Sequence, residues 1–407
     1  MKLKQVMIQA ACAALALGSA AVAFAGTQPN PSPASPVVVG GGASLPEFLY
    51  SSEIAAFGPN HIYAVTGSGG GKTALTTNAP TAFNNAYITP RADTTVHYAG
   101  SDSILSSSDI TAFAPRKGTD GALVQIPSVG TAVGIPFQNA SVSSLTLNDD
   151  QLCGVFSGLI NDWSALGGAA GTIKVVYRSD SSGTSEIFTR HLAAVCNSTN
   201  TDPKVTFVTS TKFTDSFPSG VPANFVGGNL SAGVRDAVAA NNGIGYLSPD
   251  YINTTLAPSS NVATKNLSAA SLTNSNDGVA YDPTSANATT ALSNLTLPTL
   301  SSNLADPNTW ALTVANPASG YPIAGLTYLD HVQCYANSTV LSKIQTFLDR
   351  HTTYSGVNDN TPLIVNNGFA PLPSALVSLI RDNLINNVNG KNVNIGNATA
   401  CAGKAGR

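Results

Sequence analysis

A short apolar run, then glycines and small hydroxyl residues, then a helix-forming segment: this chain repeats that unit several times, and the repetition restricts its fold more than any other feature. Val37-Val38-Val39 stops at Gly40-Gly41-Gly42, and a helix is predicted to start near Ser44-Leu45-Pro46, where proline's missing N–H has no partner to lose. Ile62 to Val65 precedes Gly67-Ser68-Gly69-Gly70-Gly71 and an Ala/Leu-containing segment. Val96 to Ala99 precedes Gly100-Ser101-Asp102. Ile173 to Tyr177 precedes Arg178-Ser179-Asp180-Ser181-Ser182-Gly183-Thr184. Phe188, Leu192 and Val195 then follow at helical spacing. Such alternation predicts an α/β fold with ligand loops at the strand ends.

Upstream of the first strand, Lys2 and Lys4 open an almost uncharged apolar run from Ala10 to Ala23. Ala23-Phe24-Ala25 supplies a small-x-small cleavage pattern, so residues 1–25 are expected to be a signal peptide and Gly26 the first mature residue. The run falls short of the ~20 residues that span a bilayer, which argues against a membrane anchor. Export to the periplasm or the medium is expected.

The chain carries 19 basic and 22 acidic side chains, and two of the basic ones lie in the leader. A net negative balance without Lys/Arg clusters excludes nucleic acid as a partner. An anionic ligand would have to be captured locally, by helix N-termini and backbone N–H groups. Downstream of the leader stand Cys153, Cys196, Cys334 and Cys401, an even number that in an exported chain reads as two disulfides with three pairings open. No CxxC or HExxH spacing occurs, so neither a metal site nor a cofactor is expected.

Residues 26–36 read as a Pro/Ser/Asn-rich entry segment, and residues 254–305 as a Ser/Thr/Asn/Ala-rich stretch. The latter is compatible with a surface excursion, a small β-rich insert or a flexible arm. Leu376, Leu379, Ile380 and Leu384 predict a closing helix over 375–384. Gly67 to Thr73 looks like a nucleotide P-loop, but the required first glycine is Thr66, so that reading fails. A hydrolase would need an activated nucleophile or a metal. No G-x-S-x-G elbow occurs, and His61, His97, His191, His331 and His351 lie in no catalytic motif.

Seven stretches carry a specific resemblance: GGGASLPEFLY (40–50), YAVTGSGGGK (63–72), YAGSDSIL (98–105), YRSDSSGTSEIFT (177–189), NNGIGYLSPDY (241–251), GYPIAGLTY (320–328) and GFAPLP (368–373). In this order they resemble the phosphate-binding proteins that serve bacterial phosphate ABC transporters, a family that includes the DING proteins, although the literal DING letters are absent here. The resemblance implies a two-lobed periplasmic solute-binding fold of type II, with the ligand in the cleft. It implies high-affinity binding of inorganic phosphate by a monomer, without catalysis, and delivery to an ABC permease. A secreted relative with a scaffold role or weak phosphatase activity is the alternative.

Position by position, the resemblance assigns the phosphate to Ser44, Leu45, Ser68, Asp102, Arg178, Ser182, Gly183 and Thr184, with Asp180 steadying Arg178. Leu45 stands where the family commonly has phenylalanine. Asp102 would accept a hydrogen from hydrogen phosphate and so reject sulfate, which has none to offer. The first lobe is expected to take residues 37–120 and 320–407, and the second 125–315 with the insert. Cys153–Cys196 and Cys334–Cys401 are the favoured disulfides, because each pair then falls within one lobe.

Overall fold

A computed structural model describes residues 37–83, 95–252 and 267–407. The expected leader, the entry segment and residues 254–266 of the Ser/Thr/Asn-rich stretch lie outside the described residues.

Two sheets organise the chain. The first has the strand order β2-β1-β3-β12-β4, with β1 (Val38–Gly42), β2 (His61–Val65), β3 (Tyr98–Ser101), β4 (Leu123–Ala132) and β12 (Ala324–Val332). β1, β2 and β3 run parallel, whereas β12 is antiparallel to both β3 and β4. Every residue of β1, β3, β4 and β12 is buried, as strands covered on both faces require. The second sheet contains β5 (Ile135–Phe137), β6 (Thr146–Leu147), β7 (Lys174–Arg178), β8 (Phe225–Gly228), β9 (Gly243–Gly245), β10 (Ser268–Thr273) and β11 (Ala280–Tyr281). Its order is β11-β10-β5-β9-β7-β8, with β6 beside β10.

The chain leaves the first sheet at Val133-Gly134, between β4 and β5, and re-enters it at β12. The crossings lie side by side: Ala324 pairs with Ala132, and the Val133 N–H donates to the Ile323 carbonyl at 2.8 Å. The two α/β lobes are thus joined beside these paired strands, an arrangement suited to hinge motion. One disulfide, Cys153–Cys196, ties the Asp149–Ser157 helix to the end of the Gly183–Val195 helix. The other, Cys334–Cys401, ties the end of β12 to the C-terminal segment.

Local structure departs from expectation at three places. The glycines 69–71 form the first turn of a helix, Ser68–Thr77, instead of a loop before it. A Cβ on Gly71 would stand 2.6 Å from the Gly41 carbonyl oxygen, so this close helix–strand approach requires glycine. The Ser/Thr/Asn-rich stretch is woven into the fold: β10 pairs with β5, and a helix at Ser285–Leu292 buries Ala288, Ala291 and Leu292 against β4 and β12. Finally, the closing helix is regular only over Ser374–Ile380 and widens to a π turn at Arg381–Ile385.

Candidate functional site

Four helices present their N-terminal ends to the gap between the lobes, where unpaired backbone N–H groups and the helix dipole favour negative charge. From the first lobe come the Glu47–Phe57 helix, preceded by Ser44-Leu45, and the Ser68–Thr77 helix. From the second come the Gly183–Val195 helix and the Leu230–Asn241 helix.

Their ends touch. Ser44 Oγ lies 2.9 Å from Ser231 Oγ and accepts from the Ser231 N–H at 3.1 Å. Ser68 Oγ accepts from the Gly183 N–H and from the Asp102 N–H, each at 3.1 Å. The Thr184 hydroxyl approaches Asp102 Oδ2 at 3.5 Å. Gly183 is held so close to the first lobe that a Cβ there would meet the Asp102 carbonyl carbon and the Ser103 nitrogen at 2.4 Å. Ser182 caps its helix by accepting from the Ser185 N–H, and Leu45 is fully buried beside Ser44. Every residue expected at the site from sequence is therefore brought to one place.

Arg178, 2% exposed, supplies a fixed positive charge. Its Nε and one terminal nitrogen engage both oxygens of Asp180 at 2.7 and 2.6 Å, leaving the other to reach Thr184 Oγ1 at 3.3 Å. Its own backbone N–H donates to the Tyr246 hydroxyl. Burial works against an ionised Asp180, but the Arg178 guanidinium and the Leu230 N–H outweigh it and hold that carboxyl below the usual range.

Asp102 is the opposite case. Burial pushes its carboxyl up to about 7, although Arg178 and Thr184 pull it down. Its Oδ1 is buried without a hydrogen-bond partner among the described residues. A buried carboxyl with a free oxygen is suited to receiving a hydrogen from something else in the gap.

Two participants escaped the sequence reading. Ser231 had a usable signal, since Phe225-Val226-Gly227-Gly228 followed by Asn229-Leu230-Ser231 repeats the strand–turn–helix unit of the other loops. Glu47, on the first turn of its helix, accepts from the Tyr251 hydroxyl, and burial raises its carboxyl to about 7 against the pull of Tyr251 and Arg178. Nothing in the local sequence distinguished it from an ordinary helix-start carboxylate.

A third constellation, away from the gap, has the outline of a hydrolase triad. Ser128 Oγ lies 2.9 Å from His351 Nε2, and His351 Nδ1 lies 2.9 and 3.0 Å from the two Glu53 oxygens. A carboxylate only accepts, so Nδ1 carries the hydrogen. All three side chains are fully buried, and the Tyr50 hydroxyl closes over Ser128 at 2.9 Å, so the seryl oxygen is sealed inside the first lobe. Among the described residues no cluster of His, Cys, Asp and Glu could hold a metal ion, and no helix is long and apolar enough to cross a membrane.

Residues 26–306 match the PBP superfamily domain. A curated protein of Pseudomonas aeruginosa, Alkaline phosphatase L, is 37% identical over 372 residues, spanning 89% of this chain and 92% of that one. A phosphate-binding protein from an unknown prokaryotic organism is 39% identical over 391 residues, spanning 90% of this chain and 98% of its own. Among solved structures, the high affinity periplasmic phosphate-binding protein PfluDING, bound with phosphate, superimposes with a TM-score of 0.77 at 37% identity, covering 91% of this chain and 99% of its own.

Proposed function

The chain belongs to the phosphate-binding proteins of the PBP superfamily, and on that premise we propose that it closes its two lobes around inorganic phosphate and releases it unaltered. The observation that carries this reading is the meeting of four helix N-termini around one arginine and one buried carboxyl with a free oxygen. A tetrahedral oxyanion offers acceptors on every side. The hydroxyls of Ser44, Ser68 and Thr184, the N–H groups of Leu45 and Thr184, the Gly183 N–H once it turns from Ser68 to the ion, and the Arg178 terminal nitrogen that reaches Thr184 supply donors from both lobes, with Ser182 fixing the helix start. Asp180 neutralises part of the Arg178 charge and fixes its plane, so the ion meets an aimed donor more than a bare cation.

Asp102 gives the selectivity. Ionised, it accepts the hydrogen of hydrogen phosphate, whereas sulfate would set two acceptors against each other. Titration calorimetry of phosphate-stripped protein is expected to give strong heat with phosphate and none with sulfate. Asp102→Asn is expected to lose phosphate affinity by about tenfold or more and to gain measurable sulfate binding, since the amide can donate. No heat with phosphate in the wild type overturns the reading. Continued sulfate exclusion by Asp102→Asn overturns the assigned role of Asp102.

Export through the leader, action in the periplasm or medium, and hand-over to an ABC permease complete this reading. A phosphatase reading draws on the name of the Pseudomonas relative. Turnover of a chromogenic phosphate ester that survives repeated purification and vanishes in Ser68→Ala would favour it.

A further inference from the structure

We propose that Ser44–Phe48 is a closure latch as well as a ligand loop, with the side chains of Glu47 and Phe48 gripping the second lobe at Tyr251 and so setting how long the closed form lasts. Ser44 and Leu45 serve the ion, in the reading above. One helical turn later, Glu47 and Phe48 engage residues of the second lobe that have no part in holding it. The Tyr251 hydroxyl donates to the Glu47 carboxyl. The Phe48 ring, 3% exposed, lies 5.2 Å from the Tyr251 ring. Although Phe48 belongs to a first-lobe helix, it is buried in one apolar cluster with Val176, Val234, Val238, Leu247 and Ile252 of the second lobe. The Arg235 guanidinium, itself in the second lobe, lies over the Tyr251 ring at 5.5 Å and steadies it.

Opening the lobes has a definite cost at this contact. The Phe48 ring goes from an apolar cluster into water, and Tyr251 and Glu47 lose each other as partners. The latch is distinct from the ion's own contacts, so it changes the open–closed balance without removing a donor to the ligand.

The test uses the whole chain, spin-labelled at exposed Ala55→Cys in the first lobe and Ala239→Cys in the second, with Tyr251→Phe and Phe48→Leu as latch variants. Pulsed electron–electron resonance reads the interlobe distance with and without phosphate, and stopped-flow reads phosphate release. Both variants are expected to shift the distance distribution toward longer separations and to release phosphate roughly tenfold faster, with a smaller change in the association rate. The effect on release rests on the phosphate reading; the distance distributions of phosphate-free protein do not. Distributions identical to wild type, both with and without phosphate, overturn the latch even if phosphate binds. Shifted distributions in a protein that takes no phosphate keep the latch and remove the ligand.

Discussion

Gly183 separates binding from folding more cleanly than any charged residue at the site. It starts a helix with ordinary backbone geometry, and only the other lobe forbids a side chain there. A methyl group at this position would meet Asp102 and Ser103 backbone atoms at 2.4 Å, and backbone cannot swing aside as a side-chain tip can. Alanine is also the better helix former by ~1 kcal/mol. Gly183→Ala is therefore expected to hold the lobes apart and weaken phosphate binding by about a hundredfold or more, read by calorimetry, while each lobe keeps its own fold. Unchanged affinity would show that the lobes do not close this tightly around the ligand. Asp102 and Arg178 do not permit this separation, since altering either changes burial, charge and ligand contact together.

Among the elements, the Glu47–Phe57 helix does most to join the site to the core. Its first turn faces the second lobe, while Tyr50 and Glu53 enter the Ser128–His351 network. Ser128 stands where the β4–β12 register slips, between the pairs Leu326–Gly130 and Tyr328–Pro127. Tyr50 also approaches Thr327 across this bulge at 3.3 Å. The triad outline thus pins a bulge in the strands that lead to the lobe crossing. His351→Leu leaves Glu53 buried with one partner fewer and is expected to lower stability by about 3–5 kcal/mol in urea titrations. Any ester-hydrolysing activity is expected to fall no further than the folded fraction does. A loss of turnover in folded His351→Leu protein would instead make this network catalytic.

The same helix shows what the sequence could and could not disclose. Its start at Ser44-Leu45-Pro46 was legible because glycines, a hydroxyl and a proline mark such a boundary locally. The network was not, because His351 and Glu53 lie 298 positions apart and meet only through the fold. At Ser231 the repeated strand–turn–helix pattern was there to be read, but the shape of the turn was not, because Leu230 takes a φ of 58° where no glycine stands. Composition left 254–305 open between a surface excursion, a small β-rich insert and a flexible arm, and did not disclose that the small alanines of 285–292 pack closely against β4 and β12.

For the molecule as a whole, the main consequence of closure is protonic. Between the lobes, closure buries Asp102 and Glu47, each with a carboxyl raised to about 7, and Asp250, raised well above its usual range by burial and by Glu47 nearby. Facing them are Arg178, already engaged by Asp180, and Arg235, paired with Asp236. The folded chain therefore holds these protons more tightly than the unfolded chain does. Their contribution to stability is fully present below about pH 4 and is lost as pH rises through about 7. Asp102→Asn cannot ionise and does not follow this loss. In phosphate-free protein, the stability of Asp102→Asn relative to wild type should thus rise by about 1–3 kcal/mol between pH 5 and pH 8, measured by urea titration at both. Phosphate works in the opposite direction in the wild type, because its hydrogen gives the ionised Asp102 a partner, so saturating phosphate should stabilise the wild type more at pH 8 than at pH 5. A stability difference that stays flat across this range would mean that Asp102 is not enclosed without the ligand, and that the proton is exchanged only when phosphate closes the lobes.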